Sequence, residues 1–474
     1  MTPEEFRSHG KDLIDWIADY WDSVGQRPIT PDITPGEIRA LLPDRAPEQP
    51  EPFDAVVADL DRVVMPGLTH WQHPGWFAYF PAQASFPAIL GELAAAGLGQ
   101  QGMMWSTSPA TTEVEAHVLD WLVDLLGLPQ TWKTTSTGGG ALQMSASDST
   151  HTALVVAREQ AARRGTPIAE MVVYTSTQAH SSVEKGARVA ALPTVRLVDT
   201  TPGTHAMSAE AFEAAVEKDL AAGLTPVVVC PSVGTTGTTA VDPVRDIATV
   251  ARSHDMWVHV DAAYAGSAMI CPEFRHHQDG LELVDSYTVN PHKWLQTNFD
   301  CSVLWVADRR PLIETMSILP PYLVEQAASG EGGAAIDYRD WHVPLGRRFR
   351  ALKLWWVLRS IGVEGLRRQI RDHCEWAVWL ANRVADHPDL ELVAPTPFAL
   401  VSFAHRGGDE ATQALADAVV ATRVNYLATS VIDGRRFIRV SIGSTTTRRE
   451  HVESLWAVID ASSGSTAGRA SLGP

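Results

Sequence analysis

The chain has 474 residues, 45% of them hydrophobic, enough to bury a large core and to hold more than one domain. Its 56 acidic side chains against 38 basic ones leave a formal net charge of −18, so nucleic acid and anionic membrane surfaces are poor expected partners. Cys230, Cys271, Cys301 and Cys374 form no CxxC pair, which argues against a zinc knuckle or a disulfide scaffold, and no metal site is expected.

From Phe6 to Trp21 apolar residues recur at helical spacing and predict an amphipathic helix. A stretch studded with Pro28, Pro31, Pro35, Pro43, Pro47, Pro50 and Pro52 follows and cannot be regular helix or central strand. A second helix is expected from near Pro52 to Met65. This arm, residues 1–85, has too little sequence for a core of its own, so its apolar faces are expected to pack on another domain or subunit. The first residues carry no basic region followed by an apolar run, and no segment approaches about 18 consecutive apolar residues. A cytosolic protein is the expectation.

Residues 86–347 alternate β-rich runs with helical patterns. Met171 to Tyr174, Val227 to Cys230, Trp257 to Val260 and Ser302 to Val306 predict buried strands, with helices over Ser208 to Ala222 and Asp242 to His254. That alternation predicts an α/β domain with a mostly parallel sheet flanked by helices. Sites in such sheets collect in the loops after the carboxyl ends of strands. Residues 348–461 predict a small α+β domain: helices over Arg348 to Gly362 and Gly365 to His387, then strands at Phe398 to Phe403 and Phe437 to Ile442 with a helix between. Residues 462–474, rich in Ser, Gly and Ala, are expected to be disordered.

Several windows carry chemistry. In Asn290-Pro291-His292-Lys293-Trp294, after a strand-like Asp285 to Val289, a lysine sits among apolar and aromatic neighbours, where a depressed pKa would make it an imine-forming amine. Taken alone, such a lysine is most often a solvated surface residue. In His259-Val260-Asp261-Ala262-Ala263-Tyr264-Ala265-Gly266 a carboxylate ends an apolar strand and is followed by small residues that admit a flat group. Buried, Asp261 needs a cationic partner such as a protonated pyridine nitrogen. A helix-capping aspartate or a magnesium ligand are the rival readings. His180, in Gln178 to Lys185, is placed either to stack on a planar cofactor or to act as a cap or surface residue.

Upstream, Ser136-Thr137-Gly138-Gly139-Gly140 and Ser145-Ala146-Ser147-Asp148 lead into a helix. The glycines would let backbone approach a ligand while Ser145 and Ser147 serve phosphate at a helix N-terminus, although a plain flexible turn explains the glycines equally well. Val233 to Gly237 places threonine hydroxyls after a strand. Tyr322 precedes a Gly- and Ala-rich stretch, Ala327 to Ala335, that fits either a closing loop with a proton donor or a surface loop.

Together these windows resemble the group II pyridoxal-phosphate-dependent decarboxylases, within them the aromatic-L-amino-acid decarboxylases, from about Phe6 to the last C-terminal helix. Specific stretches are Met65 to Trp71, Phe77-Ala78-Tyr79-Phe80-Pro81, His259 to His276, Asn290 to Trp294, Asn298 to Cys301 and Pro344 to Arg350. The resemblance implies a fold-type I homodimer in which the arm lies across the partner and both active sites form at the interface. It implies pyridoxal phosphate held by Lys293 as a Schiff base, with Asp261 on the pyridine nitrogen and His180 stacked on the ring. Ala146, Ser147, Asn290 and His292 would serve the phosphate, and Thr236 would lie close by. Tyr322 would sit on a closing loop and deliver the proton that replaces carbon dioxide.

The implied substrate pocket comprises Trp71, Tyr79, Phe80, Pro81, Ala82, Gln101 and Met103. Ala82, Gln101 and Met103 stand where the animal enzymes carry threonine, isoleucine and phenylalanine. The implied reaction is decarboxylation of tryptophan, phenylalanine, tyrosine or dopa to the amine. Alternatives are a non-aromatic substrate, an aldehyde-forming relative, a transaminase or a non-catalytic cofactor-binding protein.

Overall fold

Among the residues described by the computed structural model, 1–318 and 335–464, seven strands build the main sheet. They are β1 (Gly139–Gln143), β2 (Met171–Ser176), β3 (Thr194–Val198), β4 (Thr225–Cys230), β5 (Trp257–Asp261), β6 (Ser286–Val289) and β7 (Ser302–Val306). Their order is β1-β7-β6-β5-β4-β2-β3, and β7 alone runs antiparallel to the strands beside it. Parallel neighbours need crossovers, supplied by helices such as Ser182–Val189, Ala209–Ala221 and Val244–Ser253. With helices on its faces the sheet is buried, which is why β2, β6 and β7 are solvent-shielded throughout.

A second, four-stranded antiparallel sheet orders as β10-β11-β9-β8, from β8 (Leu390–Leu392), β9 (Leu400–His405), β10 (Ala428–Ile432) and β11 (Arg435–Ser441). Helices Gly362–Asp386 and Asp409–Ala421 pack on it, and Arg449–Ser463 packs on those two helices. The last helix extends into the stretch read as tail, while residues 465–474 and Tyr322 lie outside the described residues.

At the other end, helix Pro3–Ser23 begins with a capping box. The Thr2 hydroxyl accepts the Glu5 N–H at 3.2 Å and the Glu5 carboxylate accepts the Thr2 N–H at 2.7 Å. It buries none of its residues within the chain. The arm then crosses to the second sheet: the Phe77 N–H donates to the Tyr426 carbonyl at 3.1 Å, and the Ser441 N–H donates to the Phe77 carbonyl at 2.8 Å. None of the described helices is long and apolar enough to cross a membrane.

Two expectations change. The helix read from Arg348 starts at Ala351, because Arg348 and Arg350 turn back to form ion pairs with Asp300 at 2.6 and 3.0 Å. The triple glycine is not a flexible turn at a ligand. Gly139 and Gly140 belong to β1, opposite Val306 and Trp305 of β7. A Cβ on Gly139 would lie 2.5 Å from the Trp341 ring, and one on Gly140 would lie 2.7 Å from the Trp305 indole nitrogen. Glycine here admits two tryptophans against the sheet. Gly139→Ala is therefore expected to destabilise the fold by about 1–3 kcal/mol through overpacking, read as a lower urea midpoint at unchanged m-value.

Candidate active site

The register of β5 on β6 sets the first two groups side by side. Asp261 pairs with Thr288, and the bonding continues past the strands, with Ala262 N–H donating to the Thr288 carbonyl at 3.1 Å and Asn290 N–H to the Ala263 carbonyl at 3.0 Å. The Asp261 carboxylate is fixed by the Ala263 N–H at 3.0 Å. Lys293 follows on a single helical turn, Pro291–Trp294. His180 lies in the loop after β2, its Nδ1 accepting the Ser182 N–H at 3.1 Å, so the neutral ring carries its proton on Nε2. Ser145 caps helix Ala146–Arg163 by accepting the Asp148 N–H at 3.2 Å.

These loops enclose a cavity of about 210 Å³. Ala146, Ser147, His180, Thr236, Asp261, Asn290, His292 and Lys293 all line it, so the residues expected to bind a cofactor come together in one place. Of the expected substrate-pocket residues, only Phe80 joins them. Trp71 and Tyr79 stack 5.8 Å apart in a half-exposed aromatic cluster. The Ala82 carbonyl accepts the Gln72 amide at 2.6 Å, and Pro81 is pressed on Gly443. Gln101 accepts the Arg347 N–H at 3.0 Å and the Met103 carbonyl accepts the Arg339 N–H at 2.9 Å, which ties both to the 339–347 segment.

Burial, and behind it the Arg439 guanidinium, push the Lys293 amine below its ordinary pKa, while Asp261 opposes the shift. That favours a nucleophilic amine. Burial likewise keeps His180 neutral, with Asp261 opposing, and lowers His292 to about 3 as its Nδ1 accepts the Cys301 N–H at 2.9 Å. The Asn290 amide oxygen is buried without a hydrogen-bond partner among the described residues, leaving this side chain to the cavity. No group of His, Cys, Asp and Glu among the described residues is arranged to hold a metal ion. The donor set is an amine, a carboxylate, an imidazole and a hydroxyl-bearing helix N-terminus. It fits a flat, phosphorylated heteroaromatic ring with a protonatable nitrogen.

Sequence reasoning missed two contributors. Arg439 of β11 donates to the Thr236 and Gly237 carbonyls at 2.6 and 3.0 Å and lies 5.3 Å from the Phe80 ring centre, which is itself 5.2 Å from Lys293 Nζ. A charge at an inward position of an apolar strand was its available signal. The second is an aromatic stack, Phe80 on Tyr264 at 4.0 Å and Tyr264 on Trp294 at 4.6 Å, closed by Trp294 Nε1–H donating to His373 Nδ1 at 3.0 Å. It braces the residue beside Lys293, and only tertiary contact reveals it.

Residues 35–406 match the pyridoxal-dependent decarboxylase conserved domain. The chain is 41% identical over 471 residues to the phenylacetaldehyde synthase of Arabidopsis thaliana, spanning 97% of this chain and 96% of that protein. It is 38% identical over 473 residues to the aromatic-L-amino-acid decarboxylase of Rattus norvegicus, spanning 96% and 97%. Its fold superposes on the crystal structure of Catharanthus roseus tryptophan decarboxylase in complex with L-tryptophan with a TM-score of 0.95, at 36% identity over 98% of this chain and 99% of that one.

Behind Asp261, His259 is fully buried between Ser286 Oγ at 2.9 Å and Thr150 Oγ1 at 3.3 Å, and burial lowers it from 6.5 to about 4. Its folded pKa is depressed, so its contribution is complete above pH 6.5 and is lost as pH falls toward 4, where the unfolded chain binds a proton that the folded one resists. Stability should drop by about 3 kcal/mol across that window from this residue. Urea midpoints of the wild type and of His259→Gln between pH 7 and 4 check this: the variant should show the shallower decline.

Proposed function

We propose, for a chain that belongs to the pyridoxal-dependent decarboxylase family and takes pyridoxal phosphate as its cofactor, that it converts an aromatic L-amino acid to its amine and carbon dioxide. The observation that carries this reading is the convergence of Lys293, Asp261 and His180 on one cavity beside a capped helix N-terminus. When bound, the cofactor supplies an electron-poor ring that accepts the electron pair left on the α-carbon as carbon dioxide departs.

Each residue then has a task its position supports. Lys293, its basicity lowered by burial, is the amine that would hold the cofactor. Asp261 would hold a proton on the ring nitrogen by a charge-assisted bond. His180, oriented by the Ser182 N–H, would help hold the ring. Ser147 and the N–H groups of its helix end, with Asn290 and His292, would hold the phosphate. Phe80 and Tyr264 wall the reacting centre from water.

The partner is a second copy of this chain. Helix Pro3–Ser23 buries nothing within one chain, and Phe6, Phe86, Leu90 and Leu93 stand exposed, an apolar surface that a homodimer would cover. Gln101 and Met103, which do not line the cavity of their own chain, would then complete the partner's site. Four buried, unpaired cysteines fit the proposed cytosolic home.

Two measurements test the reading. Purified protein should be yellow, and borohydride should fix the cofactor on the peptide bearing Lys293; attachment at another lysine overturns the assignment. A panel of amino acids should release carbon dioxide and amine for aromatic side chains at a kcat/KM that exceeds the aliphatic ones.

The likeness to a phenylacetaldehyde synthase raises a second product, an aldehyde formed at the expense of dioxygen. Tyr322, placed by sequence resemblance alone, favours the amine because a phenol would supply the α-carbon proton before oxygen intervenes. Tyr322→Phe should still release carbon dioxide but make much less amine, with oxygen consumed and aldehyde formed. Amine at the wild-type rate without oxygen uptake would remove Tyr322 from the role.

A further inference from the structure

The chain between Pro81 and Ser85 grips both ends of the lysine-bearing turn. The Gln83 N–H donates to the His292 carbonyl at 2.8 Å. The Gln83 side chain, 1% exposed, accepts the Gln296 N–H on Oε1 at 2.6 Å and donates from Nε2 to the Gly443 carbonyl at 2.6 Å. Two residues on, the Ser85 hydroxyl donates to the Gln296 carbonyl at 2.7 Å. One short stretch therefore holds the N–H and the carbonyl of Gln296 together with the carbonyl of His292, and Lys293 lies between them.

The hold on Gln296 has a conformational reason. Its φ is +51°, a left-handed backbone that a residue with a Cβ adopts only where its surroundings impose it. Inside the turn the Lys293 N–H donates to the Asn290 carbonyl and the Leu295 N–H to the Pro291 carbonyl, both at 2.9 Å. The far end of the clamp is the small domain, where a Cβ on Gly443 would come within 2.5 Å of Pro81. Arm, lysine turn and small domain are thus joined through one amide.

We propose that Gln83, with Ser85, is a positioning residue that clamps the 292–296 turn and so keeps the Lys293 amine inside the closed cavity and in register with Asp261. Neither residue lines the cavity, so both act through Lys293. The inference rests on Lys293 being the cofactor lysine. A loosened turn admits water to the amine, so the cofactor leaves faster and the pH dependence of its visible band moves, because burial is what sets the basicity of Lys293.

The test uses holoenzyme carrying Gln83→Met, which keeps the volume without the two side-chain bonds, and Ser85→Ala. Thr412→Val serves as the comparison. Thr412 is also fully buried, accepting the His405 N–H at 3.0 Å and donating to the Gly408 carbonyl at 2.9 Å, and it does not line the cavity. Both clamp variants should move the midpoint pH of the visible band by about half a unit or more and release cofactor about tenfold faster. Their kcat should fall about tenfold while KM changes less than about threefold. Thr412→Val should lower the melting temperature and leave band and release rate unchanged.

Gln83→Glu supplies a rescue. Its protonated carboxyl can make both bonds, so wild-type behaviour should return at low pH and fade as the buried acid ionises. If both clamp variants merely melt earlier and keep the wild-type band midpoint and release rate, the clamp is ordinary bracing and the proposal fails. Should Gln83→Met not fold, Ser85→Ala decides by the same readings. Failure of the Lys293 assignment shows separately, as borohydride labelling at another lysine in the unmutated protein.

Discussion

An amine and a carboxylate withdrawn from water together are stable only if something fixes their separation, and here the fixing element is the parallel pairing of β5 with β6. Asp261 opposite Thr288 is a backbone register, not a side-chain preference. A slip of one residue would turn Asp261 to the other face of the sheet and leave the Lys293 turn facing an empty wall. Because the hydrogen bonds continue to Asn290 and Ala263 beyond the strands, the two loops leave the sheet as one unit. Their carbonyls and N–H groups are satisfied in place, so little reorganisation is needed when a charged ligand enters.

The remaining walls come from elsewhere in the chain. Arg439 lies on β11 of the second sheet and Gly443 just after it, while Phe80 and Gln83 come from the segment that precedes helix Phe86–Leu98. Arg439 is buried, with its pKa pushed down to about 10 by that burial, and it donates to the carbonyls of Thr236 and Gly237. A guanidinium out of water needs such acceptors. It also lowers the basicity of Lys293. The contact between the second sheet and the Thr236–Gly237 loop therefore also tunes the lysine, and weakening it would alter Lys293.

How much of this the sequence discloses depends on the range of the interaction. Val227 to Cys230 reveals itself as a strand because burial on both faces demands an unbroken apolar run, and Trp257 to Val260 does so with His259 as its one polar residue. Lys293, Asp261 and His180 are legible because each stands just past such a run. Neither reading of Gly139 and Gly140, a ligand approach or a plain turn, reached the strand they form, because the tryptophan that presses on Gly139 is about 200 residues away and the reason for glycine is invisible locally. Gln83 and His373 escape for the same cause: a buried amide or imidazole is ordinary in sequence and becomes informative only when its partners are Gln296, Gly443 or Trp294.

The same distinction separates the chemistry from the choice of side chain. Groups that would meet the cofactor sit on strand ends and helix starts, whose positions are set by main-chain bonding. Of the groups expected to meet the side chain of the substrate, Phe80 lines the cavity, whereas Trp71 and Tyr79 are 39% and 52% exposed and Gln101 and Met103 engage a loop segment. Tyr79 has a φ of +57°, so the backbone is held in an unfavourable conformation at the point where the aromatic cluster turns toward Phe80. Substitutions in such a rim change contacts worth about 1–3 kcal/mol without disturbing the register beneath. The rim can therefore vary while the register that builds the Lys293 cavity stays as it is.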